Sequence, residues 1–307
     1  MWRAAVSVRS VVGRRALQAV CVLACGALAL TGCTKNTEDT GPKAEKVGGI
    51  EKVDSLAAQL PDKLKSSGKI VVGVNVPYQP NEYKDPSGKI VGFDVDLMDA
   101  VAATLGIKAE YTESAFEKII PTIQAGTYDV GMSSMTDSKE REQQVDFATY
   151  FKAGIQWAQP VGKPIDPNNA CGKRVAVQAN TVEDTDEIPA KSKKCTDAGK
   201  PAIDKKSFDE QSAATNAVVL GQVDGMSADS PVTAYGIKQS GGKIEAAGQV
   251  FDSAPYGWAV PKGSPLGKLL SAAVQHLIDS GKYLEICKNW GVQDGAITKS
   301  VVNGAES

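Results

Sequence analysis

Ile123-Gln124-Ala125-Gly126-Thr127-Tyr128-Asp129-Val130-Gly131-Met132-Ser133-Ser134 reads as the end of a helix, a glycine stop, a short strand and a polar strand end. Further along the chain, Val219-Leu220-Gly221-Gln222-Val223-Asp224-Gly225-Met226-Ser227-Ala228-Asp229 repeats the same grammar. In open α/β sheets, ligands bind outside the carboxyl ends of the strands. Two such units whose polar ends face one another would therefore enclose a ligand between two lobes. Taken alone the echo is weak, because helix-glycine-strand junctions recur throughout α/β proteins.

The surrounding sequence has the alternation that this reading needs. Lys69-Ile70-Val71-Val72-Gly73-Val74-Asn75-Val76 is a short apolar run of the kind buried in a parallel sheet. It is followed by a helical pattern with Leu97, Val101 and Leu105 on one face. Ser114-Ala115-Phe116-Glu117 has the spacing of a capping box, ahead of Phe116, Ile119, Ile120 and Ile123. Ser264-Pro265 reads as an N-cap with proline at the first helical position. Leu266, Leu269, Leu270, Ala273, Val274, Leu277 and Ile278 then make an apolar stripe that closes near Gly281. Strands alternating with amphipathic helices predict an α/β fold with mainly parallel sheets.

The N-terminal segment has a different character. Met1 to Arg15 is positively charged, and Ala16 to Leu30 is an apolar run shorter than the roughly 20 residues a membrane-spanning helix needs. The segment looks like a signal peptide, with an uncleaved anchor as the alternative. Leu30-Thr31-Gly32-Cys33 resembles the bacterial lipobox, in which the cysteine is lipid-modified and becomes the new N-terminus. A diacylglyceryl group supplies two chains, enough for stable membrane attachment. The mature chain would have 275 of the 307 residues and would be tethered outside the cytoplasm, on the outer face of the cytoplasmic membrane. Thr34 to Gly49 is polar and charged, which suits a flexible tether spanning about 20 to 25 Å.

Composition limits the function classes. The chain is 42% hydrophobic and 23% charged, as globular proteins are, with a formal charge of −2. Four arginines and no acid lie in the first 32 residues, so their removal leaves 30 basic against 36 acidic residues. An acidic body argues against nucleic acid as the main partner. Of six cysteines, Cys21 and Cys25 belong to the signal and Cys33 to the lipid. Cys171 and Cys195 flank a polar segment and are expected to pair outside the reducing cytosol, the alternative being two free thiols. Cys287 falls in the helical pattern of Tyr283, Leu284, Ile286 and Trp290 and is expected to be a buried thiol. No zinc spacing, phosphate loop or nucleophile elbow occurs, and no cofactor is implied. His276, the only histidine, lies off the apolar stripe and is expected to be exposed. Asp184, Asp186 and Glu187 read as a solvated acidic face.

Binding chemistry is better represented. Ser133-Ser134-Met135-Thr136-Asp137-Ser138-Lys139-Glu140-Arg141 sets hydroxyls and a guanidinium after one strand end. A guanidinium meets a carboxylate with two parallel charge-assisted hydrogen bonds. Asp229, at the end of the second unit, offers the opposite charge, and the pair would suit a zwitterion. Separately, either charge is as readily a surface ion pair or a helix cap, and Asp229-Ser230-Pro231 is itself a plausible helix start.

Gly92-Phe93-Asp94-Val95-Asp96-Leu97-Met98-Asp99-Ala100-Val101-Ala102 is similar to the signature of the family 3 bacterial extracellular solute-binding proteins, the amino-acid receptors of ABC importers. Val74 to Tyr78, Phe116 to Pro121, Ser133 to Phe147, Ser227 to Asp229, Tyr256 to Val260 and Gly281 to Gly291 agree with it in order and spacing. The resemblance covers roughly residues 66–295 and implies a two-lobe, periplasmic-binding-protein-like (type II) flytrap. The expected division is a signal peptide at 1–32, a lipidated tether at 33–50, lobe I at 51–155, lobe II at 156–254, and the rest of lobe I with a tail at 255–307. Crossings are expected near Tyr150 to Trp157 and Ala254 to Val260.

By position, the resemblance implies that Arg141 holds a ligand α-carboxylate, helped by Thr136, Ser134 and Thr181, with Asn180 also among the ligand-binding residues. Asp229 and a Ser133 or Ser134 carbonyl would receive the α-ammonium, while Tyr78 and Phe116 would pack the aliphatic portion. Asn75 stands where relatives that bind basic amino acids are expected to place an acid; a neutral amide there disfavours lysine or arginine and suits glutamine, glutamate or an asparagine-like ligand. Asn81 replaces a usual Phe, and Ala179-Asn180-Thr181 replaces a turn that usually contains glycine. The implied partners are an amino acid, a membrane permease and its ATPase, with the protein itself a monomer. A dehydratase-type enzyme on the same scaffold, or a sensory subunit, are the alternatives.

Overall fold

The computed structural model describes residues 46–306, so the expected signal peptide and the lipidation site at Cys33 lie outside the described residues. The strands are β1 (Lys69–Val74), β2 (Tyr83–Lys84), β3 (Ile90–Val91), β4 (Lys108–Glu113), β5 (Val130–Gly131), β6 (Val145–Pro160), β7 (Arg174–Gln178), β8 (Asp204–Phe208), β9 (Gly225–Asp229) and β10 (Ile244–Pro261). Eight of them form one sheet in the order β4-β1-β5-β10-β6-β9-β7-β8, and β2 and β3 make a separate hairpin.

The sheet divides about its two long central strands. On one side β1 pairs in parallel with β4 and β5; on the other β7 pairs in parallel with β8 and β9. β6 and β10 run antiparallel to each other along nearly their whole length, from Val145↔Pro261 to Pro160↔Ile244. The two passages with shared grammar thus end in equivalent strands: β5 lies beside β10, and β9 beside β6. Alternation of strands and helices does not reveal the antiparallel crossing, because β6 and β10 are contributed from distant parts of the chain and are much longer than the other strands.

Each half has its own core. In the first, Ile70, Val72 and Val74 of β1 pack with Phe93, Leu97 and Val101 of the helix Phe93–Thr104. Leu266, Leu270 and Val274, on the helix Pro265–Asp279, join the same cluster, so the C-terminal segment returns to the half where the described chain begins. Ser264 caps that helix by accepting from the Leu266 N–H, and Pro265 takes its first turn, as expected. In the second half, Val175 and Val177 pack with Trp157, Ile188 and Ile203 on one face of the sheet, and Ala176 and Met226 with Ala214 and Val218 on the other. Cys171 and Cys195 are bonded and anchor the helix Ile188–Asp197 to this half, while Cys287 is free and buried.

Two local expectations fail. Ser114 does not cap a helix: its hydroxyl donates to the Ala115 carbonyl, and the chain enters a short 3₁₀ turn, Phe116–Lys118, before the helix Ile119–Gln124. Nor is the acidic segment a solvated face. Glu187 is buried, accepting from Trp157 Nε1 at 2.8 Å and Ser227 Oγ at 2.7 Å. Asp184 is half-buried, where it holds Ser207, Lys205 and the Asn180 N–H.

Candidate ligand-binding cleft

The polar ends of β5 and β9 open on one small cavity between the halves. It is lined by Asn75, Tyr78, Phe116, Ser133, Ser134, Thr136, Arg141, Gln178, Thr181, Val182, Glu183 and Asp229. Nine of the ten ligand-binding candidates are in this lining. Asn180 is exposed and faces a neighbouring depression instead.

The floor on the first half is a supported serine pair. Ser133 Oγ accepts from the Asn75 N–H at 3.1 Å and donates to Glu82 at 3.3 Å. Ser134 has φ of 49°, a left-handed conformation that a non-glycine residue adopts only when its surroundings hold it there. They do: its N–H donates to Asp94 at 3.2 Å, its hydroxyl donates to Glu82 at 3.1 Å, and it accepts from Asn81 Nδ2 at 2.8 Å. The polar Asn81 is therefore used, fully buried, to hold Ser134. Glu82 and Asp94 are both wholly buried, with Tyr150 donating to Asp94 at 2.6 Å. Burial raises both carboxyls, Asp94 to about 7 and Glu82 well above its ordinary value, so the pair retains a proton at neutral pH.

After this floor comes the short helix Lys139–Glu142, capped by Ser138. It presents Arg141, whose Nη1 donates to the Thr136 carbonyl at 2.9 Å and whose Nη2 donates across the cleft to the Asn180 carbonyl at 3.1 Å. The guanidinium lies over the Phe116 ring, 5.6 Å from its centroid. Burial lowers its pKa, and the carboxyls of Glu183 and Asp229 oppose that. Arginine's ordinary value is so high that it stays charged. None of the ion pairs among the described residues includes it.

The second half supplies the opposite charge. Asp229 sits at the N-cap position of the helix Ser230–Gln239 but makes no side-chain cap bond. Its carboxylate turns into the cleft and accepts from Tyr78 Oη at 2.5 Å. Burial pushes it up to about 6, against the Tyr78 hydrogen bond and the Arg141 charge. Glu183 is 1% exposed and its Oε1 has no hydrogen-bond partner. Burial and then the Asp229 charge push Glu183 up to about 8.

Two residues modify the sequence reading. Asn75 is not an open side-chain subsite: its Oδ1 accepts from Gln178 Nε2 across the cleft at 3.0 Å, and its Nδ2 donates to the Ser114 carbonyl at 3.0 Å. Asn180 has φ of 65°, so it occupies the left-handed position for which a glycine is usual, and its carbonyl rather than its side chain meets Arg141. Gln178, Val182 and Glu183 were missed. Gln178 is the last residue of β7 and so stands where strand-end logic looks for ligand contacts. Glu183 was hidden in an acidic run. His276 is exposed as expected, and no group of metal-ligating side chains occurs among the described residues.

The model of the bacterial extracellular solute-binding proteins, family 3, matches residues 70–293. The chain belongs to this family. It is 38% identical over 292 residues to the arginine-binding protein ArgT of Corynebacterium glutamicum, covering 94% of this chain and 96% of that one. It is 32% identical over 254 residues to the ABC transporter glutamine-binding protein GlnH of Bacillus subtilis, covering 80% and 87%. A solved structure of an ancestral arginine-binding protein bound to arginine superimposes with a TM-score of 0.67 at 34% identity, covering 73% of this chain and 98% of that one. The two-lobe α/β architecture expected from the signature is thus that of solved amino-acid-binding proteins. No helix among the described residues is long and apolar enough to cross a membrane.

Proposed function

We propose that this chain captures an amino acid between its two lobes and presents it to the permease and ATPase of an ABC importer. Lobe I would be formed by residues 51–155 and 255–307 and lobe II by 156–254, with residues 1–32 as an export signal and 33–50 as a tether lipidated at Cys33. The observation that carries the reading is the pairing of charges in the cavity. Arg141, without a carboxylate partner, faces Asp229, whose carboxylate is aimed away from the helix it could cap.

A zwitterion satisfies both. Its α-carboxylate would take the guanidinium, with Thr136, Ser134 and Thr181 completing the shell, and its α-ammonium would take Asp229. Because Arg141 stands on lobe I and Asp229 on lobe II, a bound amino acid touches both only when the lobes are together. That differential contact is what shifts an open-closed equilibrium. Relatives named as arginine-binding and glutamine-binding proteins support the amino-acid class.

The test is the thermal midpoint of the purified full-length chain in detergent against a panel of the common amino acids. Ligand at 100 times its dissociation constant adds about 2.7 kcal/mol, and each kcal/mol moves a domain of this size by roughly 2 to 4 °C. A shift with one amino acid or a small group is expected; no shift with any, after removal of co-purified ligand by partial unfolding, would overturn the reading. One observation favours turnover on the same scaffold: Glu183 is a buried cleft acid held near pH 8. Consumption of a prephenate-like acid by the wild type and not by Glu183→Gln would replace capture with catalysis.

A further inference from the structure

The cavity holds one more acid than a zwitterionic backbone can satisfy. Arg141 is its single guanidinium, while Asp229 and Glu183 are two carboxyls, both buried. Nearby lysines are spent elsewhere: Lys205 on Asp184 at 2.7 Å and Lys191 near Glu187 at 3.7 Å. No ion pair among the described residues reaches Glu183, and its Oε1 has no hydrogen-bond partner. An α-carboxylate neutralises Arg141 and an α-ammonium neutralises one acid. Whichever acid that is, the other is left over. A buried carboxylate without a partner is strongly disfavoured, so in the closed cleft the leftover acid either keeps its proton or is paired with a second cation.

We propose that Glu183 is the specificity-determining residue of this site and that the ligand it selects carries a cationic side chain, an ammonium or a guanidinium. The inference rests on the amino-acid reading of the site and deepens it. It reverses the conclusion drawn from Asn75, whose amide would favour a neutral ligand only if it were open to one. That amide is clasped by Gln178 and Ser114, so lobe I offers no negative charge at that position and lobe II supplies it instead. Val182 and Thr181, the residues beside Glu183 in the lining, are neutral and cannot supply it. Glu183 is also near enough to Asp229 to feel its charge, so the two acids form one acidic cluster on lobe II facing the guanidinium of lobe I.

The experiment is calorimetric titration of the wild type and of Glu183→Gln with four probes: arginine, lysine, glutamine and citrulline, the last being the uncharged isostere of arginine. The wild type is expected to prefer arginine or lysine over citrulline by about 30-fold or more, since a buried charge partner is being discriminated from a neutral one. Glu183→Gln is expected to lose that preference while keeping or improving its affinity for citrulline or glutamine, which also shows that the variant is folded. Two results overturn the inference and leave amino-acid capture standing: wild type binding neutral probes as tightly as cationic ones, or Glu183→Gln retaining the full cation preference. If no amino acid binds the wild type, the reading of the site itself fails and takes the inference with it.

Discussion

Tyr78 and Asp229 meet across the cleft, 151 positions apart in the chain, with the phenol donating to the carboxylate at 2.5 Å. Both are buried, and the carboxylate would otherwise cap the helix that begins at Ser230. Together with Gln178 to Asn75 and Arg141 to the Asn180 carbonyl, this bond joins the two halves. An incoming ammonium would have to share or take the place of the Tyr78 proton on Asp229.

Tyr78→Phe should therefore shift the ligand-free chain towards an open form. A hydrogen bond to a charged group contributes about 1.5 to 3 kcal/mol, enough to change the open-to-closed ratio by about tenfold or more. Small-angle scattering of the ligand-free variant should give a larger radius of gyration than the wild type, and saturating ligand should return it to the closed value. An unchanged ligand-free radius would mean that this bond does not hold the cleft.

Arg141→Ala should reduce amino-acid affinity at least about 100-fold, because it leaves the ligand carboxylate desolvated and unpaired. The melting midpoint without ligand should change little, since the guanidinium bonds only two backbone carbonyls and stacks on Phe116. Binding within a few-fold of wild type would remove Arg141 from the site.

The raised carboxyls give a pH dependence with a definite sign. Below about 8 Glu183 is protonated in the ligand-free cleft, and pairing with a cationic side chain requires it to lose that proton. Affinity for arginine or lysine should then rise as pH increases from 6.5 and level off near 8, with a proton released on binding. A neutral amino acid leaves Glu183 protonated, so its affinity should be flat over that window and fall above 8. The charged and titratable groups around Glu183 are Asp229, Arg141, Glu187 and Tyr78; Asp229 titrates near 6, below the window, and Arg141 stays charged. Titrations in buffers of different ionisation enthalpy read the proton directly; zero release with arginine at pH 7 would contradict the assignment.

Much of the fold was legible because its determinants are local. The helix-glycine-strand units ending at Ser134 and Asp229 mark equivalent strands, and strand-end logic then put Arg141 and Asp229 on opposite sides of one cavity. What was not legible depends on residues far apart in sequence. Glu187 is buried only because Trp157 and Ser227, 30 and 40 residues away, satisfy it. Glu183 and Glu187 bracket one wide helical turn, which directs both inward and leaves Thr185 and Asp186 exposed, so an acidic run that composition assigns to the surface contains two core acids. Asn75 faced the correct cavity, yet its partner Gln178 lies 103 residues on, and only the closed cleft shows that its amide is occupied.

Opening the Cys171–Cys195 bridge should destabilise lobe II and spare the chemistry of the cleft. The two cysteines are 24 residues apart, and for a loop of that size the chain-entropy model gives about 3 kcal/mol. The Cys171→Ser, Cys195→Ser double variant should melt several degrees lower in the absence of ligand and bind with near-native affinity at 20 °C. Lost affinity in a folded variant would mean that the bridge also positions the segment from Thr181 to Glu187.

If the lobes hinge at the crossing strands, Gly154 is a sensitive position, because it leaves no room for a side chain between β6 and β10. β6 and β10 shift register between Ala247 and Phe251 and again between Phe251 and Ala254, with Asp252 held at φ 47°. Such bulges loosen a ladder and let it bend. A Cβ on Gly154 would lie 2.5 Å from Val250 Cγ1, 2.7 Å from Ser253 Oγ and 2.8 Å from the Phe251 carbonyl oxygen, the last of which is backbone and cannot rotate away. Gly154→Val should push the strands apart at the hinge and cost about 1 to 3 kcal/mol, or about 3 to 10 °C in midpoint. It should also weaken ligand binding, although Gly154 is absent from the cavity lining, because closure rather than contact is impaired. Gly48→Ala, where a Cβ meets nothing within 4 Å, is the matched control and should change neither quantity. If Gly154→Val lowered the midpoint while leaving affinity intact, the bulged crossing would be a packing feature and the hinge would lie elsewhere along β6 and β10.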